Sequence, residues 1–220
     1  MKKLNQILRK LYRRWLVPKA AFTNSASYWQ NRYKAGGHSG DGSYGKLAAF
    51  KAKIINEFVQ ENKIQTIIEY GCGDGNQLKF ANYPSYIGFD VSDVIIKKCI
   101  NVFKKDASKA FKLMTKYAGE KAELCLSLDV IFHLIEEDVF DTYMQRLMDS
   151  SEKFVIIYSS NTDKNQLNQS PHFKNRHFSK WIDKNRPSWV LESHISNNFP
   201  FTGDEVNGSV SDFYIYQKIS

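Results

Sequence analysis

The chain is poor in cysteine. Cys72, Cys99 and Cys125 are its three thiols, spread over 220 residues with no CxxC pair. Neither a disulfide framework nor a cysteine-based zinc site is expected, and reduced thiols in a cytoplasmic protein are the simplest reading. Long apolar runs are missing too: none approaches the roughly 20 residues that cross a bilayer, and the N-terminus lacks the apolar core of a signal peptide. No cluster of His, Cys, Asp or Glu has metal-ligand spacing, so no metal is expected. There is no internal repeat and no low-complexity tract. With 42% apolar and 25% charged residues, a globular fold with a sizeable core follows.

Acidic residues are absent from positions 1–19, which hold seven of the 31 Lys and Arg residues. The net charge of +8 is therefore concentrated there, and the rest of the chain is close to neutral. A near-neutral body gives nucleic acid no broad footprint, and no nucleic-acid partner is expected. Leu4, Ile7, Leu8, Leu11, Tyr12, Trp15 and Leu16 recur on one helical face with bases on the other. Such a helix either packs on its own domain or a second copy, as in a homodimer, or lies on an anionic membrane through residues 1–17, at the inner face. The chain divides into this amphipathic segment, 1–24, and a body, 25–220.

Two nucleotide signatures are also missing. No Gly-Lys-Ser/Thr follows the glycines, so there is no P-loop. The sixth position of G-x-G-x-x-G is Asn76, where a dinucleotide fingerprint wants glycine. What stands there is Gly71-Cys72-Gly73-Asp74-Gly75 after the apolar run Thr66-Ile67-Ile68-Glu69-Tyr70, with Asp90 closing the next apolar run. This spacing predicts a strand, a tight turn and an acid at the tip of a second strand, the layout of a nucleoside site in an open α/β sheet. The glycines are expected to bring backbone N–H groups close to the ligand, and Asp90 to accept the ribose hydroxyls.

Strands are expected near 66–70, 85–89, 111–115, 123–128, 153–159, 189–195 and 212–219. Helices are expected near 25–34, 47–58, 75–81, 92–104, 136–149 and 178–184. The glycine-rich stretch 36–45 reads as a lid or a connector. Alternating β and α elements imply a mostly parallel, Rossmann-like sheet with helices on both faces.

Three stretches carry a resemblance. Ile67 to Gly75 resembles the first motif of the class I S-adenosylmethionine (SAM)-dependent methyltransferases, Tyr86 to Ser92 their second, and Leu126 to Leu134 their fourth-strand motif. The resemblance implies a seven-stranded sheet ordered 3-2-1-4-5-7-6 with the last strand antiparallel. It implies SAM as cofactor, held by Glu69, Gly71, Cys72, Gly73, Asp74, Asp90, Val91, Leu128 and Asp129, with Arg32 or Tyr33 at its carboxylate. His133, His172 and His177 are candidate general bases, each with a structural role as the competing reading. The stretch after the fourth strand lacks the N/D-P-P-Y sequence of amino-methylating enzymes. The phrasing Tyr28 to Tyr33 with Gly36 to Gly45 resembles methyltransferases found with bacterial surface-polysaccharide enzymes. Together these imply an enzyme that methylates a small-molecule or glycan acceptor, with a sugar hydroxyl first. A non-catalytic SAM-binding subunit anchored by its N-terminal helix and a nicotinamide-dependent oxidoreductase are the alternatives.

Overall fold

A computed structural model describes residues 22–167 and 169–219. The amphipathic segment, and the membrane or subunit contact expected of it, lie outside the described residues. No helix among those described is long and apolar enough to cross a membrane.

Helix α1 (Ser25–Lys34) and helix α2 (Gly45–Glu61) precede the sheet, and the glycine-rich stretch joins them. Then follow β1 (Thr66–Tyr70), β2 (Ser85–Asp90), α3 (Asp93–Val102), β3 (Lys109–Leu113), β4 (Ala122–Leu128), α4 (Glu137–Asp149), β5 (Ser151–Ser159), α5 (Phe178–Asn185), β6 (Trp189–Ile195) and β7 (Asp212–Lys218). The seven strands lie in the order β3-β2-β1-β4-β5-β7-β6. β7 runs antiparallel to both β5 and β6, and the pairs among β1 to β5 are parallel. Order and direction are those the resemblance implied.

The central strands read as unbroken apolar runs because both faces are covered. Ile67, Leu124, Leu126 and Ile156 pack under α2 and α3 with Ile55, Phe58 and Ile96. Their neighbours Ile68, Cys125, Val155 and Ile157 face the other way, against Phe140, Met144 and Leu147 of α4 and Ile182 of α5. Asn24 caps α1 by accepting the Ser27 N–H at 2.8 Å. Ser92 caps α3 through the Ile95 N–H, and Glu137 and Asp138 fill the first turn of α4, where the helix dipole favours acids.

The helix expected near 75–81 does not form. A four-residue 3₁₀ turn, Gln77–Phe80, stands there. Only Gln77 and Leu78 of that turn are buried, and Phe80 is 46% exposed, so no continuous apolar face holds a longer helix. Pro84 also steers the preceding residue towards extended backbone.

The loop between β4 and α4 is clamped from below. Buried Arg176 donates to the Leu134 carbonyl at 2.7 Å and the Ile135 carbonyl at 2.7 Å, pairs with Glu137 and stacks over Phe140. The same loop holds α1: Glu136 accepts the Ser25 N–H at 2.8 Å and its hydroxyl at 2.5 Å. Arg176→Met should leave two carbonyls unpartnered and lower stability by about 1–3 kcal/mol, read as a fall in thermal midpoint. Loosening of α1 should accompany it, read as faster amide exchange at Ile135.

Candidate active site

The turn after β1 and the acid after β2 meet at the carboxyl end of the sheet. Gly71, Gly73 and Gly75 all take positive φ, at 83°, 56° and 72°. A side chain at Gly73 would also come within 2.3 Å of the Ser39 hydroxyl, and one at Gly71 within 2.5 Å of Val130. The glycines therefore make room for neighbouring protein. The N–H groups of Gly71 and Gly73 are taken up by the protein, where the sequence suggested that they would face a ligand. Gly71 and Cys72 donate to the Phe89 carbonyl at 2.7 and 3.0 Å, Gly73 to Asp90 Oδ2 at 3.1 Å and Asp74 to Ser39 Oγ at 2.7 Å. Asn76 N–H bonds to Asp74 Oδ1 at 3.2 Å. The N–H groups of Gly71 to Asp74 and of Asn76 are thus occupied by the protein itself.

A cavity of about 320 Å³ opens above this turn. It runs over the tips of β1, β2 and β4 under the roof of α1. Asp90 lies buried on its floor, with Oδ1 taking the Ser92 N–H at 2.9 Å. Burial pushes the Asp90 carboxyl up to about 6, against the N–H bonds of Ser92 and Gly73. With the Val91 N–H also bonded to the carboxylate, at least one of its roughly four acceptor positions stays open. Beside it, Glu69 accepts the Tyr86 hydroxyl at 2.6 Å, and burial pushes it up to about 7 against that bond and the charge of Lys51.

The stretch 36–45 is strapped to the turn. The Tyr33 hydroxyl meets Ser39 Oγ at 3.1 Å, Tyr44 donates to Asp74, and Asn76 donates to the Ser43 carbonyl at 2.8 Å. Burial opposes ionisation of Asp74, yet the bonds from Tyr44 and Asn76 hold its carboxyl below the usual range.

On the far side of the turn, Lys51 of α2 is 1% exposed, and its ammonium sits 2.7 Å from Asp129 Oδ2. Asp129 takes left-handed backbone, φ 58°, and its other oxygen accepts the Ser211 hydroxyl at 2.8 Å.

Of the residues named from sequence, Tyr33, Glu69, Gly71, Cys72, Gly73, Asp90, Val91, Leu128, Asp129 and His133 line the cavity. Asp74 stands behind the turn. Arg32 donates to the His38 carbonyl at 2.8 Å and contacts the Trp29 ring, off the cavity wall. His133 Nδ1 lies 2.8 Å from the His172 carbonyl, which only accepts, so Nδ1 carries the proton. Burial drops the His133 imidazole to about 4, which leaves it neutral at neutral pH and weakly basic. His172 stacks on Tyr28 and His177 sits 3.5 Å from Asp163; neither lines the cavity. Sequence reasoning missed Lys51, Ser39, Tyr44 and Ser211. Among the described residues no group of three or more His, Cys, Asp or Glu is placed to hold a metal ion.

No protein-family model and no curated protein matches the chain. Solved structures do. The N-methyltransferase NodS from Bradyrhizobium japonicum WM9, in complex with S-adenosyl-L-homocysteine (SAH), has a TM-score of 0.66 at 9% identity, covering 90% of this chain and all of that one. Magnesium protoporphyrin IX methyltransferase from Synechocystis PCC 6803 with bound SAM scores 0.61 at 11% identity over 91% of this chain and all of that one. The methyltransferase domain of bacterial CtHen1 scores 0.60 at 16% identity, over 80% of this chain and all of that one. The fold is that of the class I methyltransferases.

At such identities the likeness fixes the fold, and the chemistry must come from this chain's own side chains. Those favour a cation. Among the described residues Glu69, Asp90, Asp129 and Asp138 bring acids to the cavity wall, and only Lys51 and Arg146 bring full positive charges. A pyrophosphate would meet mostly acids there.

Proposed function

We propose that this chain transfers the S-methyl group of SAM to a small-molecule or glycan acceptor, with a sugar hydroxyl as the methylated group. One observation carries the cofactor: a glycine turn with the N–H groups of Gly71 to Asp74 spent within the protein, beside a buried carboxylate with acceptor capacity left. That suits a nucleoside bearing a sulfonium and disfavours a dinucleotide. In this reading Asp90 holds the ribose hydroxyls, Val91 and Leu128 flank the base, and Glu69 lies towards the amino-acid end with Tyr33. SAM supplies an electrophilic methyl carbon; the protein aligns the nucleophile and excludes water. The cover formed by α1 and the strap 36–45 does the excluding.

The acceptor rests on sequence. The place after β4 reads Asp129-Val130-Ile131-Phe132, without N/D-P-P-Y, and the fold neighbours named as N-methyltransferase and carbon methyltransferase show that the architecture does not select the atom. Calorimetry with SAM and with NAD(H) tests the cofactor: SAM alone should bind, and binding of NAD(H) alone would reject the reading. Labelled SAM with nucleotide sugars and lipid-linked glycans tests the acceptor, and transfer only to protein or RNA would reject it.

A further inference from the structure

Seven Lys and Arg residues and no acid occupy positions 1–19, while the rest of the chain is close to neutral. The place where that charge joins the body is informative. The described residues begin at Phe22, whose ring lies 6.3 Å from that of Tyr28 in α1. Three residues further on, Ser25 and its neighbour Ala26 stand on the cavity wall. The positive stretch is therefore tethered at the mouth of the cavity.

The described surface beside that tether is neutral and carries exposed apolar side chains. The loop between β5 and α5, residues 160–177, is fixed against α1, since His172 stacks on Tyr28 with ring centroids 4.2 Å apart. Its Lys174 and Arg176 pair with Glu137 of α4, and its Asp163 pairs with Lys180. Leu167 stands out of the middle of this loop, fully exposed. Val139, in the first turn of α4, and Val91, after β2, are exposed at the cavity mouth. The rim across the sheet differs. The loop between β6 and β7 lies over α2, where Lys46 and Phe50 contact Phe199, and it carries Asp204 and Glu205 with no base of its own.

A stretch rich in bases, free of acids and interleaved with Leu4, Leu8, Leu11 and Trp15 suits a surface with anionic groups above an apolar layer. A nucleic acid offers the charge without the layer. We infer that an anionic lipid surface docks at the cavity mouth, with positions 1–19 supplying the charge and Leu167 the apolar contact beside it. Each base near such a surface strengthens binding about fivefold, so seven outweigh Asp204 and Glu205. Those two acids are held off the headgroups, and the side of α4 and α5 leans in. On the reading proposed above, the acceptor then reaches the cavity from the bilayer, as a lipid-linked glycan.

Vesicle sedimentation of the full chain, without cofactor, tests the docking. Vesicles of phosphatidylglycerol mixed with phosphatidylcholine should capture the protein, and vesicles of phosphatidylcholine alone should not. Salt on the order of 0.5 M should release most of it, as the screening length shrinks to roughly 4 Å. Arg13→Gln with Arg14→Gln should weaken capture about 25-fold. Leu167→Glu should weaken it about tenfold, because an apolar contact is lost and a charge of the wrong sign is added. Leu167 is fully exposed, so its variant should keep the parent's thermal midpoint. Lys53→Gln, which removes an exposed base of α2, should leave capture unchanged. Equal capture by both kinds of vesicle, or by neither, overturns the inference. Undiminished capture in Leu167→Glu also overturns it, since positions 1–19 would then tether the protein without docking its mouth. Displacement of the vesicles by equimolar RNA would make nucleic acid the partner. A lower thermal midpoint in Arg13→Gln with Arg14→Gln, with capture unchanged, would assign the stretch to packing on its own body. None of these outcomes touches the cofactor reading, which fails separately if SAM does not bind.

Discussion

Asp90→Ala is expected to weaken SAM binding by roughly 10²–10⁴-fold while the fold survives. Two hydrogen bonds to an ionised acceptor are worth about 1.5–3 kcal/mol each, which gives that range. The ligand-free protein gives up the N–H bonds of Gly73 and Ser92 but is relieved of a costly buried charge, since the Asp90 carboxyl stands at about 6 against an ordinary 3.8. The same shift gives a signature in pH. In the ligand-free protein the folded state holds the Asp90 proton more tightly than the unfolded chain. Its contribution to stability is therefore full below about 3.8 and is lost as the pH rises through about 6. The cofactor's hydroxyls need the ionised form, so affinity should run the other way and fall as the pH drops below about 6. Glu69, pushed up to about 7, titrates in a neighbouring window. Asp90→Asn separates the two, because it removes only the Asp90 component from each curve. Binding isotherms and thermal midpoints between pH 5 and 8 on the order of one unit apart would show the opposed slopes. Parallel slopes, or unchanged affinity in Asp90→Ala, would place the ribose elsewhere.

The parts of this site that were legible in the sequence are those in which partners are close along the chain. Gly71 to Gly75 and Asp90 lie within one strand–turn–strand unit, and the apolar runs before each acid announce buried strands. Their order in the sheet came from the resemblance, since periodicity gives elements and not neighbours. The direction of the turn N–H groups was not legible. It is set by Asp90 and by Ser39, which arrives from a loop 35 positions before Asp74. Lys51 was missed for a similar reason: its partners Asp129 and, through it, Ser211 lie 78 and a further 82 residues away. A signal was nonetheless present. Leu47, Lys51, Ile55 and Phe58 share one face of α2 by helical spacing, and all four are buried. A charge in the middle of an apolar stripe marks a buried cation, and a buried cation demands an acid. The turn at 77–80 failed in the opposite way: local apolar residues suggested a helix, but Phe80 faces solvent and Gln77 and Leu78 alone make no continuous apolar face.

Lys51→Met is expected to cost about 3–5 kcal/mol, because it leaves the Asp129 carboxylate without its counter-ion. Methionine fills the space of the lysine stem, so packing contributes little to that loss. The double variant Lys51→Met with Asp129→Asn should recover more than half of it. Denaturant melts of the parent, both single variants and the double variant close the cycle. If Lys51 acts only through packing, the single losses add and the double variant is the least stable of the set. If the ion pair itself supports the fold, the double variant stays near Lys51→Met. Recovery alone fits a pair whose two charges are each tolerable only because the other is there. A chain that could replace both with neutral side chains at small cost to stability has no structural need for either. The need must then lie at the cavity wall, where the carboxylate ends.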